Sequence, residues 1–291
     1  MKLLRQRPGM SAAAAASLLS FTTGSGRGAR SEDGRGPRRP LIIAHRGGTP
    51  GEIENSVAAF AHALDAGVDM LEFDVRQAVD GTLVLLHNPV LHADGRRWVV
   101  ADCSVGELRA IVPTLMTLDE YLEAFGHKRP FNLDLKTHGF EADVVAALMR
   151  HGVVGHAVIS SGHTLSLRRL ARLNGRIERG LSRGHAESSS LAISPLSFIN
   201  RTYLQFALPW MVRIANANAA MIQYRLADRA LVDRLHAAGC RVFAWTIDDG
   251  NEAAALAATG VDGITSNYPR RIRWALDQEA DRYGVPGGAL P

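Results

Sequence analysis

Cysteine is scarce in this chain. Cys103 and Cys240 are the only two, with no C-x-x-C and no zinc-ligand spacing, so neither a disulfide framework nor a structural zinc site is expected and both read as reduced thiols. No apolar run approaches the roughly 20 residues a membrane-spanning helix needs, so no transmembrane segment is expected. No G-x-G-x-x-G follows the first strand candidate, and G-x-x-x-x-G-K-[ST] does not occur, which removes two common nucleotide cradles. Excess charge is also small, a formal +4. Residues 1–40 hold eight basic side chains (Lys2, Arg5, Arg7, Arg27, Arg30, Arg35, Arg38, Arg39) against Glu32 and Asp33, so the other 251 residues carry a net −2. A body of that charge is no nucleic-acid surface.

What is present is ordinary soluble-globular material, 46% hydrophobic and 21% charged. Residues 1–40 read as an extension, either disordered or leader-like, with a basic start, an Ala-rich stretch Ser11–Thr23 and a Gly/Arg/Ser-rich end. The first alternative leaves the protein cytoplasmic; the second sends it out of the cell. Residues 283–291 read as a tail. Between them, 41–282 alternate short apolar runs with amphipathic helical stretches. The strand candidates are 41–44, 71–75, 83–87, 131–135, 157–160, 177–181, 219–222, 241–246 and 263–265. Several helices run into Gly67, Gly152, Gly239 or Gly260, as helix C-termini do. Strand–helix alternation over about 240 residues predicts a single-domain (β/α)₈ TIM barrel, with a doubly wound sheet as the competing architecture.

In such folds chemistry gathers at the C-terminal ends of the strands. Those ends carry His45-Arg46-Gly47, Glu72 and Asp74, His87, Asp134 and Lys136, and later Trp245 and Asp248. Asp80-Gly81 is a hairpin signal, and Val75–Leu83 is too short for a parallel crossover. A short β-hairpin is therefore expected within residues 71–89. A two-residue turn at Asp80-Gly81 would pair positions summing to 161 and set Asp74 opposite His87, with the returning strand outside the barrel wall. Carboxylates two apart on a strand, Glu72 and Asp74, are hard oxygen ligands for one divalent cation, Mg²⁺ or Ca²⁺, and Asp134 is a natural third. Arg46 and Lys136 suit an anion, and His45 and His87 suit proton exchange near neutral pH. Cation, anion clamp and imidazole pair together point to phosphoryl chemistry.

The ordered set His45-Arg46-Gly47, Glu54-Asn55-Ser56, Glu72-Phe73-Asp74-Val75, Asp80-Gly81, Val84–His87, Thr117-Leu118-Asp119-Glu120, Asn132–Lys136, Trp245-Thr246 and Gly260–Ile264 resembles the signature of the glycerophosphodiester phosphodiesterases. The resemblance spans nearly all of 41–270. It implies a TIM barrel and metal-dependent hydrolysis of a small glycerophosphodiester to glycerol 3-phosphate and an alcohol. It assigns metal binding to Glu72, Asp74 and Asp134, acid/base catalysis to His45 and His87, and substrate contact to Arg46 and Lys136, to which Trp245 is added here. Three positions depart from the family pattern: Asp134 where Glu is usual, Asn88 where Asp usually follows the histidine, and Asp248 where Asn is common. Two other readings stay open. The aromatic segment 191–214 (Phe198, Tyr203, Phe206, Trp210) is either a barrel helix with its entry loop or a surface for lipid or membrane contact; the latter would suit a phospholipase D-like enzyme acting on lysophospholipids or sphingomyelin. A barrel that binds phosphodiesters without turnover is the other.

Overall fold

The computed structural model describes residues 39–48, 51–184 and 195–282. Most of the 1–40 extension, residues 191–194 of the aromatic segment and the tail 283–291 lie outside the described residues. In chain order the elements are β1 (Leu41–Ala44), α1 (Val57–Asp65), β2 (Met70–Gln77), β3 (Leu83–Leu85), β4 (Val90–Ala93), β5 (Arg96–Val99), α2 (Val105–Ile111), α3 (Leu118–Phe125), β6 (Phe131–Leu135), α4 (Glu141–Arg150), β7 (Ala157–Ser161), α5 (Thr164–Leu173), β8 (Glu178–Arg183), α6 (Pro195–Ile214), β9 (Ala219–Gln223), α7 (Arg229–Ala237), β10 (Arg241–Trp245), α8 (Gly250–Ala257), β11 (Gly263–Ser266) and α9 (Pro269–Arg282).

Eight strands, β1, β2 and β6 to β11, run parallel, and pairing of Ile43 with Met70 and Ala44 with Leu71 closes them into a barrel. This is the expected (β/α)₈ architecture, and it excludes the open doubly wound sheet. The ninth strand, β3, pairs antiparallel with β2 outside the closed ring. Helix starts follow their capping residues: Ser104 and Thr117 each form a reciprocal capping box, with Glu107 and Glu120, and Ser56, Asp228 and Asp249 cap α1, α7 and α8. Gly67, Gly152, Gly239 and Gly260 all take positive φ just past helix ends, as expected.

Packing divides the barrel into zones. Between β2, β6, α1 and α3 an aromatic cluster of Phe60, Phe73, Tyr121, Phe125 and Phe131 is closed to solvent, with the Phe73 and Tyr121 centroids 4.0 Å apart. A smaller cluster, Ile43, Met70, Val158, Ala219, Met221 and Phe243, packs on its own, drawn from β1, β2, β7, β9 and β10. Cys103 and Cys240 are buried and unbridged. Among the described residues no helix is long and apolar enough to cross a membrane.

The hairpin corrects the expected register. Pairs sum to 160, not 161: Val75 faces Leu85, Arg76 faces Val84 and Gln77 faces Leu83. The loop has three residues, Val79–Gly81. The Gly81 N–H donates to the Ala78 carbonyl at 3.0 Å, the Ala78 N–H donates to the Thr82 carbonyl at 2.9 Å, and Gly81 sits at φ 83°. That is a turn followed by a left-handed glycine bulge, which takes one more residue than a two-residue turn. Asp74 therefore lies beside Leu86, whose N–H donates to the Asp74 carbonyl at 3.1 Å, and His87 follows the end of β3. Sequence reading also passed over the ribbon β4–β5, whose Asp94-Gly95 turn, with φ 51° and 70°, carries the same dipeptide signal.

Candidate active site

The head of β1 turns sharply. His45–Gly47 form one 3₁₀ turn with Arg46 at φ 53°, and this directs the Arg46 N–H to Glu72 Oε2 at 2.9 Å. The Arg46 guanidinium spans two acids, Nη1 at 2.8 Å from Glu54 Oε2 and Nε at 3.0 Å from Asp74 Oδ2. Asn55, also left-handed at φ 56°, donates its amide Nδ2 to Asp74 Oδ2 at 3.4 Å.

Strand register supplies the rest. Asp74 on β2, Asp134 on β6 and Ser160 on β7 are direct neighbours in one row, and Glu72 pairs with Asn132 one layer below. Lys136 lies between the acids, Nζ 2.7 Å from Asp74 Oδ1 and 2.6 Å from Asp134 Oδ2, and Ser160 Oγ donates to Asp134 Oδ1 at 2.6 Å. Five of the eight selected residues, Arg46, Glu72, Asp74, Asp134 and Lys136, are thus linked by contacts, and His45 lies within their electrostatic reach.

Charge sets the proton affinities. Burial pushes the Asp74 carboxyl up, but the Lys136 and Arg46 charges pull it further, below its ordinary value. Burial and the neighbouring Asp74 push Glu72 well above the ordinary carboxylate range, against the opposing pull of Lys136. Lys136 is raised: burial opposes its charge, but Asp134, Asp74 and Glu72 outweigh that. Burial, with the positive charges of Arg46 and Lys136, lowers His45 despite its hydrogen bond to Asn267 and the nearby Asp74.

The other two selected residues stand at the rim. His87 is half-buried, its Nδ1 3.0 Å from Asn88 Oδ1, and its carbonyl accepts from Arg76 Nε at 2.9 Å and Nη2 at 2.6 Å. Its charge contributes to lowering Asp74. Trp245 ends β10 with its indole against Gly184: a Cβ on that glycine would come within 2.7 Å of the ring. The indole Nε1 is buried and donates to nothing among the described residues. A half-open apolar cavity of about 800 Å³, lined by Ile53, Val57, Pro113 and Met116 among others, contains none of the eight.

For a divalent cation the donor chemistry fits: oxygen only, three carboxylates, and buried amide oxygens of Asn55 and Asn132 that accept no hydrogen bond among the described residues. As placed, the oxygens are not gathered on one point; among the described residues no three His, Cys, Asp or Glu side chains are grouped to hold a metal ion. The Lys136 ammonium fills the space between Asp74 and Asp134. Sequence reading missed Ser160, Gly184 and Asn267 as site residues. Ser160 and Asn267 were accessible as polar residues at or just past strand ends; nothing local distinguishes Gly184.

A sequence model described as the glycerophosphoryl diester phosphodiesterase family matches residues 45–271. A glycerophosphodiester phosphodiesterase from Caldanaerobacter subterraneus subsp. tengcongensis is 24% identical over 257 residues, covering 80% of this chain and 96% of that protein. Lysophospholipase D GDPD1 from Homo sapiens is 24% identical, covering 79% of this chain and 84% of that one. Among solved structures, an Oleispira antarctica phosphodiesterase in complex with the product sn-glycerol-3-phosphate superposes with a TM-score of 0.65 at 24% identity, covering 82% of this chain and 97% of that one.

Proposed function

This chain belongs to the glycerophosphoryl diester phosphodiesterase family, and from that premise we propose that it hydrolyses glycerophosphodiesters to sn-glycerol 3-phosphate and an alcohol. The observation that carries the reading is the cluster at the C-terminal ends of β1, β2 and β6, where two cations and three carboxylates form one network of contacts within electrostatic reach of an imidazole. The Oleispira neighbour, which binds the product of this reaction, supports it.

Arg46 and Lys136 hold the phosphodiester: each keeps donors beyond its ion pairs, and their charge opposes the negative charge that grows on the phosphoryl oxygens. Glu72, Asp74 and Asp134 would hold one divalent cation, Mg²⁺ or Ca²⁺, which when bound neutralises part of that charge. Of His45 and His87, one takes a proton from the nucleophile, either water or the neighbouring glycerol hydroxyl, and the other returns one to the departing alkoxide. Loss of either imidazole should cost on the order of 10²–10⁴ in rate. Trp245 forms a wall for the substrate.

The test is release of glycerol 3-phosphate from glycerophosphocholine, with and without EDTA, by wild type and His45→Ala. Turnover is expected to fall with EDTA and with the substitution; equal turnover in all four conditions refutes the mechanism. A second reading, a phospholipase D-like enzyme acting on lysophospholipids, is favoured by α6, which leaves Tyr203, Phe206 and Trp210 largely exposed at spacings of three and four residues. Faster turnover of lysophosphatidylcholine than of glycerophosphocholine would select it.

A further inference from the structure

The hydrogen bonds around His45 decide which of its nitrogens carries the proton. Its Nδ1 lies 2.7 Å from Asn267 Oδ1, just past the end of β11. An asparagine amide can offer either its oxygen or its nitrogen to a neighbour, and here Asp248, from the turn after β10, makes the choice. Asp248 Oδ2 is 2.8 Å from Asn267 Nδ2, while its Oδ1 takes the Asn267 backbone N–H at 2.8 Å and the Ser266 hydroxyl at 3.0 Å. The Ser266 oxygen in turn accepts the Tyr268 N–H at 2.9 Å, so its proton is directed at Asp248.

An ionised carboxylate only accepts hydrogen bonds. The Asn267 NH₂ must therefore face Asp248, and its carbonyl oxygen must face His45. An amide oxygen also only accepts, so His45 Nδ1 carries the hydrogen. A neutral imidazole has one N–H, which leaves the lone pair on Nε2.

We propose that Asp248 and Asn267 are positioning residues that hold His45 as its Nδ1–H tautomer and so leave its Nε2 free to accept a proton. The assignment rests on the hydrolysis reading above. In the step, written as direct hydrolysis, the attacking water gives one proton to His45 Nε2 as its oxygen bonds phosphorus. The bond from phosphorus to the alcohol oxygen breaks, and that oxygen takes a proton from His87. Of the charged groups facing His45, Arg46 and Lys136 disfavour its imidazolium, Asp74 favours it, and burial adds to the first side. The ring waits neutral, as a base must. His87 has no such arrangement, since its partner Asn88 is exposed and, among the described residues, nothing orients that amide. The departure from Asn to Asp at position 248 thereby acquires a role, because a carboxylate, unlike an amide, cannot leave the orientation of Asn267 undecided.

Two measurements test this. Two-bond ¹H–¹⁵N spectra of wild-type protein labelled at histidine, with His45 assigned by its loss in His45→Gln, read the tautomer without any turnover; Nδ1–H is expected. In glycerophosphocholine hydrolysis, Asn267→Ala should lower kcat roughly 10–100-fold with KM little changed, because the ring loses its orientation and not its substrate. Asn267→Asp combined with Asp248→Asn should restore most of kcat, since a carboxylate at 267 also accepts from Nδ1–H while an amide at 248 still donates to it. It should also move the acidic limb of the kcat/KM profile to higher pH by favouring the imidazolium. An Nε2–H signal, or wild-type kcat in Asn267→Ala, overturns the proposal. A wild type that turns over no glycerophosphodiester fails the hydrolysis reading instead, and the spectrum still decides the tautomer.

Discussion

Replacing Lys136 by Met removes the ammonium from between Asp74 and Asp134 and keeps an apolar stem in its place. Each ion pair, at 2.7 Å and 2.6 Å, has a Coulomb attraction of about 6 kcal/mol at an effective dielectric of about 20. Desolvation of the ammonium and of Asp74, whose side chain is 1% exposed, offsets much of that. Removing one partner of a buried pair leaves an uncompensated charge and typically costs about 3–5 kcal/mol. At about 2–4 °C per kcal/mol for a domain near this size, Tm should fall by about 6–20 °C. The melt belongs in EDTA, so that no cation substitutes for the ammonium. The sign with pH follows from Asp74, which is held below its ordinary value. Its stabilisation is complete above the unfolded-chain value, about 3.9, and is lost as pH falls through the lower folded value. The gap between wild type and Lys136→Met should therefore be full at pH 7 and close as pH drops below about 4. Adding Asp74→Asn to Lys136→Met should recover part of the loss, a coupling of about 1 kcal/mol or more. A Tm within 2 °C of wild type at pH 7 (about 0.5–1 kcal/mol), or zero coupling in the cycle, would refute the reasoning.

Gly184→Ala places a methyl 2.7 Å from the Trp245 ring, and Gly184 is not in the left-handed region, so the strain falls on that contact alone; KM for glycerophosphocholine should rise more than kcat falls, and steady-state kinetics reads the split. Gly81→Ala forces a side chain into the left-handed bulge at the hairpin tip, where a Cβ would meet nothing within 4 Å among the described residues; a loss of about 1–2 kcal/mol in urea melts is expected, with activity unchanged. His236 is raised above its ordinary value, first by its hydrogen bond to Asp262 at 2.8 Å. Its stabilisation is complete below the unfolded value of about 6.5 and is lost as pH rises through the folded one. His236→Gln should therefore cost about 1–2 kcal/mol at pH 6 and less at pH 8.5 by chemical denaturation.

The legible parts of this molecule were those with a local physical cause. Alternating apolar runs and glycines at helix ends exposed the barrel, since period and backbone freedom act over a few neighbours. The polar residues at strand ends exposed Arg46, Glu72, Asp74, Asp134 and Lys136, because a barrel brings all those ends to one face. The hairpin was legible in kind but not in register: Asp80-Gly81 suits both a two-residue turn and a three-residue loop with a glycine bulge, and the choice moved Asp74 from beside His87 to beside Leu86.

By itself, then, the chain's order of residues determined the architecture, the chemical types at the mouth and the strands that deliver them. Only the tertiary structure decided which charge neutralises which, that Gly184 leaves room for Trp245, and that Asp248 turns the Asn267 amide toward His45. Those outcomes depend on atoms from strands far apart in sequence meeting within 3 Å or so, a hydrogen-bond distance that no periodicity along one strand encodes.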